Sequence, residues 1–88
     1  MNTENYGVAT FKSTHHAIQA EGVLKENDIF FKTIPTPREI TFSCGLALLF
    51  ALDDVRKVTE LVENDELNID GIYNYTKSKD ENKAEKII

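Results

Sequence analysis

The chain is short of cysteine and of basic residues, has no long apolar run, and each shortage removes a class of protein. One cysteine in 88 residues excludes a disulfide framework within the chain and a zinc site built from several thiolates. Ten Lys and Arg stand against fifteen Asp and Glu, a formal charge of -5. No basic stripe is left to follow a phosphate backbone, and the anionic surface repels nucleic acid and acidic lipid headgroups alike. No stretch approaches the roughly 18 apolar residues that span a bilayer. The four glycines are scattered, so there is no phosphate-cradling loop. Residues 1–6 are polar and lack a signal-peptide core, from which a cytoplasmic location is expected.

What remains has the composition of one small globular domain, with 41% hydrophobic residues. Tyr6–Lys12 reads as a first strand, because Val8, Thr10 and Phe11 favour extended backbone. Ser13 or Thr14 then caps a helix over about Thr14–Glu26, with Ala17, Ala20, Val23 and Leu24 on one face. Asn27 is the expected left-handed cap at its end. Ile29–Ile34 reads as a second strand, stopped by Pro35 and Pro37, neither of which has an N–H to donate. A connection without a clear period runs to Ser43. Leu46–Leu52 is apolar on both faces, as suits a central strand. Asp53 or Asp54 caps a second helix with an apolar stripe of Val55, Val58, Leu61 and Val62. Ile69–Thr76 reads as a fourth strand on which Tyr73 and Tyr75 share a face. The charged segment 77–88 lacks periodicity and reads as a flexible tail after a domain over 1–76.

The order β-α-β-β-α-β predicts an α+β ferredoxin-like sandwich: a four-stranded antiparallel sheet of order 4-1-3-2, with two helices on one face. In that arrangement the end of strand one lies beside the start of strand three. Ser13 and Thr14 follow the first, and Cys44 and Gly45 precede the second. The opening of the first helix and the sole thiol are therefore expected at one end of the sheet, together with the Pro35–Ser43 connection.

Such a placement suits thiol chemistry. A thiol reacts as its thiolate, and a helix N-terminus stabilises an anion through unpaired N–H groups and its partial positive charge. Arg38 adds a full charge, His15 or His16 can exchange the thiol proton, and Gly45 leaves the sulfur open to approach. The same cysteine also reads as an inert packing residue beside an apolar strand. A metal site from His15, His16 and Cys44 is disfavoured, since adjacent histidines on a helix point in different directions. No metal and no cofactor is expected. No nucleophile–base–orienter set marks an independent enzyme.

Three segments taken together, Ser13-Thr14-His15-His16-Ala17, Pro35-Thr36-Pro37-Arg38-Glu39-Ile40 and Ser43-Cys44-Gly45-Leu46-Ala47-Leu48, resemble the selenium/sulfur carrier-like family of small bacterial proteins. The resemblance covers about Tyr6 to Tyr75. It implies that Cys44 holds sulfur or selenium as a persulfide or selenosulfide, with the segment Pro35 to Glu39 walling the cysteine. It implies a partner such as a cysteine desulfurase or an acceptor enzyme, because the chain has no second cysteine to resolve the intermediate. The alternative is a non-catalytic ligand-sensing or oligomerisation module in which Cys44 is structural. A homodimer through the sheet would then cover the face opposite the helices.

Overall fold

Alternation of side chains along Glu4–Thr10 gives β1 two apolar faces, and this strand takes the centre of the molecule. The computed structural model describes residues 4–40, 45–78 and 81–88. Within them β1 is followed by α1 (Thr14–Glu26), β2 (Phe31–Pro35), β3 (Leu46–Ala51), a single 3-10 turn (Leu52–Asp54), α2 (Val55–Glu63), β4 (Gly71–Lys77) and β5 (Asn82–Lys86). The strands form one sheet of order β2-β3-β1-β4-β5, and every neighbouring pair is antiparallel.

The fifth strand corrects the expected fold. A four-stranded 4-1-3-2 ferredoxin-like sheet does not account for this chain, because residues read as a loose tail pair with β4 from Tyr73↔Lys86 to Lys77↔Asn82. Ser78 N–H donates to the Glu81 carbonyl (3.2 Å) and closes the turn between the two strands. Past β5, Ile87 N–H donates to the Ile72 carbonyl (2.7 Å). The segment NKAEK has almost no apolar content, so hydropathy misses it. Its pairing rests on main-chain hydrogen bonds, which carry no sequence signature. Its charged residues also suit an outermost strand, since they discourage further pairing.

Both helices join one side of the sheet. Ala17, Ala20 and Leu24 of α1 and Val58 and Leu61 of α2 share a buried cluster with Ala9, Phe11, Leu48, Phe50 and Ile72. Each fully buried aliphatic or aromatic side chain there contributes about 1.5–3 kcal/mol. Phe50 lies over Gly7, where any Cβ would run into its ring. On the opposite side Val8, Ala47 and Tyr75 pack with Ile40, which comes from the connection after β2. That connection therefore covers part of the helix-free face.

The caps explain where the helices begin and end. Ser13 is extended (φ -148, ψ 158) and its hydroxyl accepts from His16 N–H at 3.3 Å, so one otherwise orphaned donor is satisfied. At the other end Asn27 is not left-handed (φ -100); Asp28 takes that conformation (φ 57). Asn27 instead donates its amide to the Val23 carbonyl at 2.8 Å. Asp54 precedes α2 without a side-chain capping bond.

Candidate functional site

The register of the central strands decides which loops meet. Thr10 at the end of β1 lies opposite Ala47 near the start of β3 and opposite Gly71 at the start of β4. Pro35 at the end of β2 lies opposite Leu46. One end of the sheet therefore gathers the opening of α1, the end of β2 and the start of β3. Thr10 is buried there, and its hydroxyl donates to the Gly71 carbonyl at 3.4 Å.

Ser43 and Cys44, the two central residues of the expected site, lie outside the described residues, as do Thr41 and Phe42. Gly45, which follows Cys44 in the chain, is exposed, and its carbonyl accepts from Thr36 N–H at 3.0 Å. Pro35 is exposed and Pro37 is half-buried. The Pro-x-Pro segment is thereby tied to the residue next to Cys44.

The helix side of the site is partly open. Ser13 is the N-cap of α1, Thr14 is its first residue, and Thr14 and His15 are both exposed. His16 is half-buried, and the two imidazole rings stand 6.2 Å apart at 46°. No acidic residue occupies the first turn, so the partial positive charge of the helix end is not offset from within the helix. Arg38 is exposed and makes no ion pair among the described residues. Among the described residues no three His, Cys, Asp or Glu side chains gather as a metal site. No helix among the described residues is long and apolar enough to cross a membrane.

Two residues of the connection matter more than their sequence suggests. Ile40 is 2% exposed and plugs the helix-free face, while Ile40 N–H donates to the Pro37 carbonyl at 3.0 Å. Glu39 accepts a hydrogen bond from the Tyr75 hydroxyl at 3.2 Å. Burial, with the nearby Glu39 carboxylate behind it, raises the Tyr75 phenol above its ordinary value of 10.0. A single isoleucine in a polar connection was the signal for this anchoring. The connection is thus fastened at Thr36, Glu39 and Ile40 on the approach to the cysteine.

Searches of curated proteins and of solved structures find no match to the chain. A family model described as "Putative Se/S carrier protein-like" matches residues 6–74. The matched stretch runs from β1 into β4 and takes in both helices and the whole Pro35–Gly45 region. The chain therefore belongs to the selenium/sulfur carrier-like family.

Proposed function

We propose that the protein carries sulfur or selenium on Cys44 and delivers it to a partner enzyme in the cytoplasm. In the loading step the Cys44 thiolate attacks the outer sulfur of a donor persulfide, such as that of a cysteine desulfurase. The donor S–S bond breaks as the new one forms, the outer sulfur moves with its hydrogen, and the donor leaves as a thiolate. No electrons are gained or lost overall. Delivery repeats the exchange, with an acceptor thiolate attacking the outer atom and Cys44 leaving. Selenium in the outer position follows the same path as a selenosulfide.

Family membership supports this reading, and one structural observation carries it. The Thr36–Gly45 hydrogen bond fastens the Pro-x-Pro segment to the residue beside Cys44, at the end of the sheet where α1 opens. A thiolate or persulfide on Cys44 would draw on the N-terminal amides of α1 and on Arg38, which makes no ion pair among the described residues; both favour an anion. In this reading His15, His16, Ser13 and Thr14 supply the remaining polar groups on the helix side, the segment Pro35 to Glu39 supplies the wall, and Ser43 and Gly45 flank Cys44 in the chain.

The test is intact-mass analysis after incubation with a cysteine desulfurase and cysteine. An added mass of one sulfur atom, lost in Cys44→Ser and released by a thiol reductant, is expected. An unmodified wild-type chain under conditions that load another acceptor would reject the proposal. A second reading, a ligand-binding module, draws on the groove across the helix-free face.

A further inference from the structure

The open part of the helix-free face is concave. Beside the Pro35–Ile40 connection runs a groove of about 420 Å³, whose lining includes Ile34, Leu49, Tyr6 and Tyr75 as well as Lys32 and Lys77. The register explains why these residues share it. Tyr6, Val8 and Leu49 alternate onto this face of β1 and β3, Lys32 and Ile34 onto that of β2, and Tyr75 and Lys77 onto that of β4. Pro37 forms the far wall. That wall is held in place by Ile40 underneath and by the Tyr75–Glu39 hydrogen bond.

Three observations indicate the occupant. First, the volume falls within the range of small-molecule clefts, roughly 300–1,000 Å³. The connection leaves a bounded hollow here rather than the broad surface of about 800 Å² per partner that a stable protein interface needs. Second, in a chain of formal charge -5 the charged residues among the described lining are Lys32 and Lys77; neither is ion-paired among the described residues, and the nearby Glu4 and Glu39 carboxylates are bound to the tyrosine hydroxyls. Third, both tyrosine hydroxyls are already engaged with carboxylates, Tyr6 with Glu4 and Tyr75 with Glu39. Those bonds fix the phenol ends and leave the rings to supply apolar contact along with Ile34 and Leu49.

We propose that this groove binds a small organic anion with a flat apolar body. The body lies against the tyrosine rings, Ile34 and Leu49, and its carboxylate, sulfonate or phosphate group meets Lys32 or Lys77. The contacts named here come from described residues of the sheet, so the binding is testable apart from sulfur carriage.

Amide NMR titration of the full chain tests this, with naphthalene sulfonate as the anionic probe and naphthalene methanol as its neutral counterpart. Saturable shifts centred on Tyr6, Lys32, Leu49 and Tyr75 are expected, and the anion should bind more tightly than the alcohol. Lys32→Ala and Lys77→Ala should each weaken the anion roughly two- to fivefold, and the pair together about tenfold, as befits exposed charge contacts. Lys32→Arg should retain the affinity. These outcomes should be unchanged in Cys44→Ser, which separates them from the carrier function. Absence of saturable binding, equal binding of the neutral probe, shifts centred on the helices, or indifference to both lysine changes would overturn the proposal.

Discussion

Under the helices, Leu24, Leu48, Val58 and Ile72 meet in a cluster closed by two regular elements. Across the sheet, Val8, Ala47 and Tyr75 are roofed by Ile40 and a short irregular connection. The first face is covered by side chains repeating at helical spacing, so its packing is dense and redundant. Among the described residues the second is held by an irregular set that includes a buried isoleucine, a tyrosine–glutamate hydrogen bond and a main-chain bond to Gly45. The contrast indicates a division of labour. The helical side holds the fold, and the lightly roofed side carries the connection that leads to Cys44.

Matched truncations give the largest effect that can break this comparison. Leu48→Ala should cost about 3 kcal/mol, because the surrounding strands and helices cannot close the cavity. Ile40→Ala should cost about 2 kcal/mol or less, since an irregular connection collapses more readily. Urea midpoints at unchanged denaturant slope would measure both. Equal losses would show that the connection is as rigid as the helical core. If Cys44 works as proposed, Ile40→Ala should also slow its loading with sulfur more than Leu48→Ala does, in protein that is still folded.

Gly7→Ala sharpens the picture from the helical side. A Cβ at this position meets the Phe50 ring, and Phe50 is buried and tightly surrounded. The expected cost is about 1–3 kcal/mol from overpacking, again read from urea unfolding. A neutral result would mean that Phe50 can repack, and that the helical face is looser than its burial implies.

The smallest effect concerns pH. Burial and Glu39 raise the Tyr75 phenol above 10.0 in the folded protein, so the native state holds that proton more tightly than the unfolded chain does. The resulting stability is fully present below pH 10.0 and is lost as pH rises through the raised value. Tyr75→Phe should remove that alkaline decline while leaving the acid side of the profile unchanged. Stability profiles of the two proteins that fall in parallel above pH 10.0 would detach Tyr75 from the roof.

Much of this arrangement was readable from residue patterns, and the failures have specific causes. A cap at Ser13 or Thr14 was legible because a hydroxyl before an apolar-periodic run satisfies an orphaned N–H, and the structure takes Ser13. The buried faces of both helices followed from spacing, with Ala17, Ala20 and Leu24 in α1 and Val58 and Leu61 in α2. The left-handed residue was misplaced by one position, from Asp28 to Asn27, since both side chains tolerate that conformation. The meeting of the α1 opening, the end of β2 and the start of β3 at one end of the sheet was legible, but the contacts there were not. Nothing in the sequence states that Thr36 bonds to Gly45 or that Tyr75 bonds to Glu39, because these partners are brought together only by the sheet register.

By itself the sequence determined the helices and the four apolar strands, the exclusion of disulfides within the chain, and membership in a carrier-like family carried by three short motifs. These are local or compositional properties, set by side-chain spacing and by the residue types present. Tertiary structure alone decided that residues 82–86 complete a fifth strand, that Ile40 roofs the helix-free face, and that two lysines from distant strands share one groove. Each of those depends on main-chain pairing between segments far apart in the chain, and such pairing is specified by the whole sheet rather than by any residue within it.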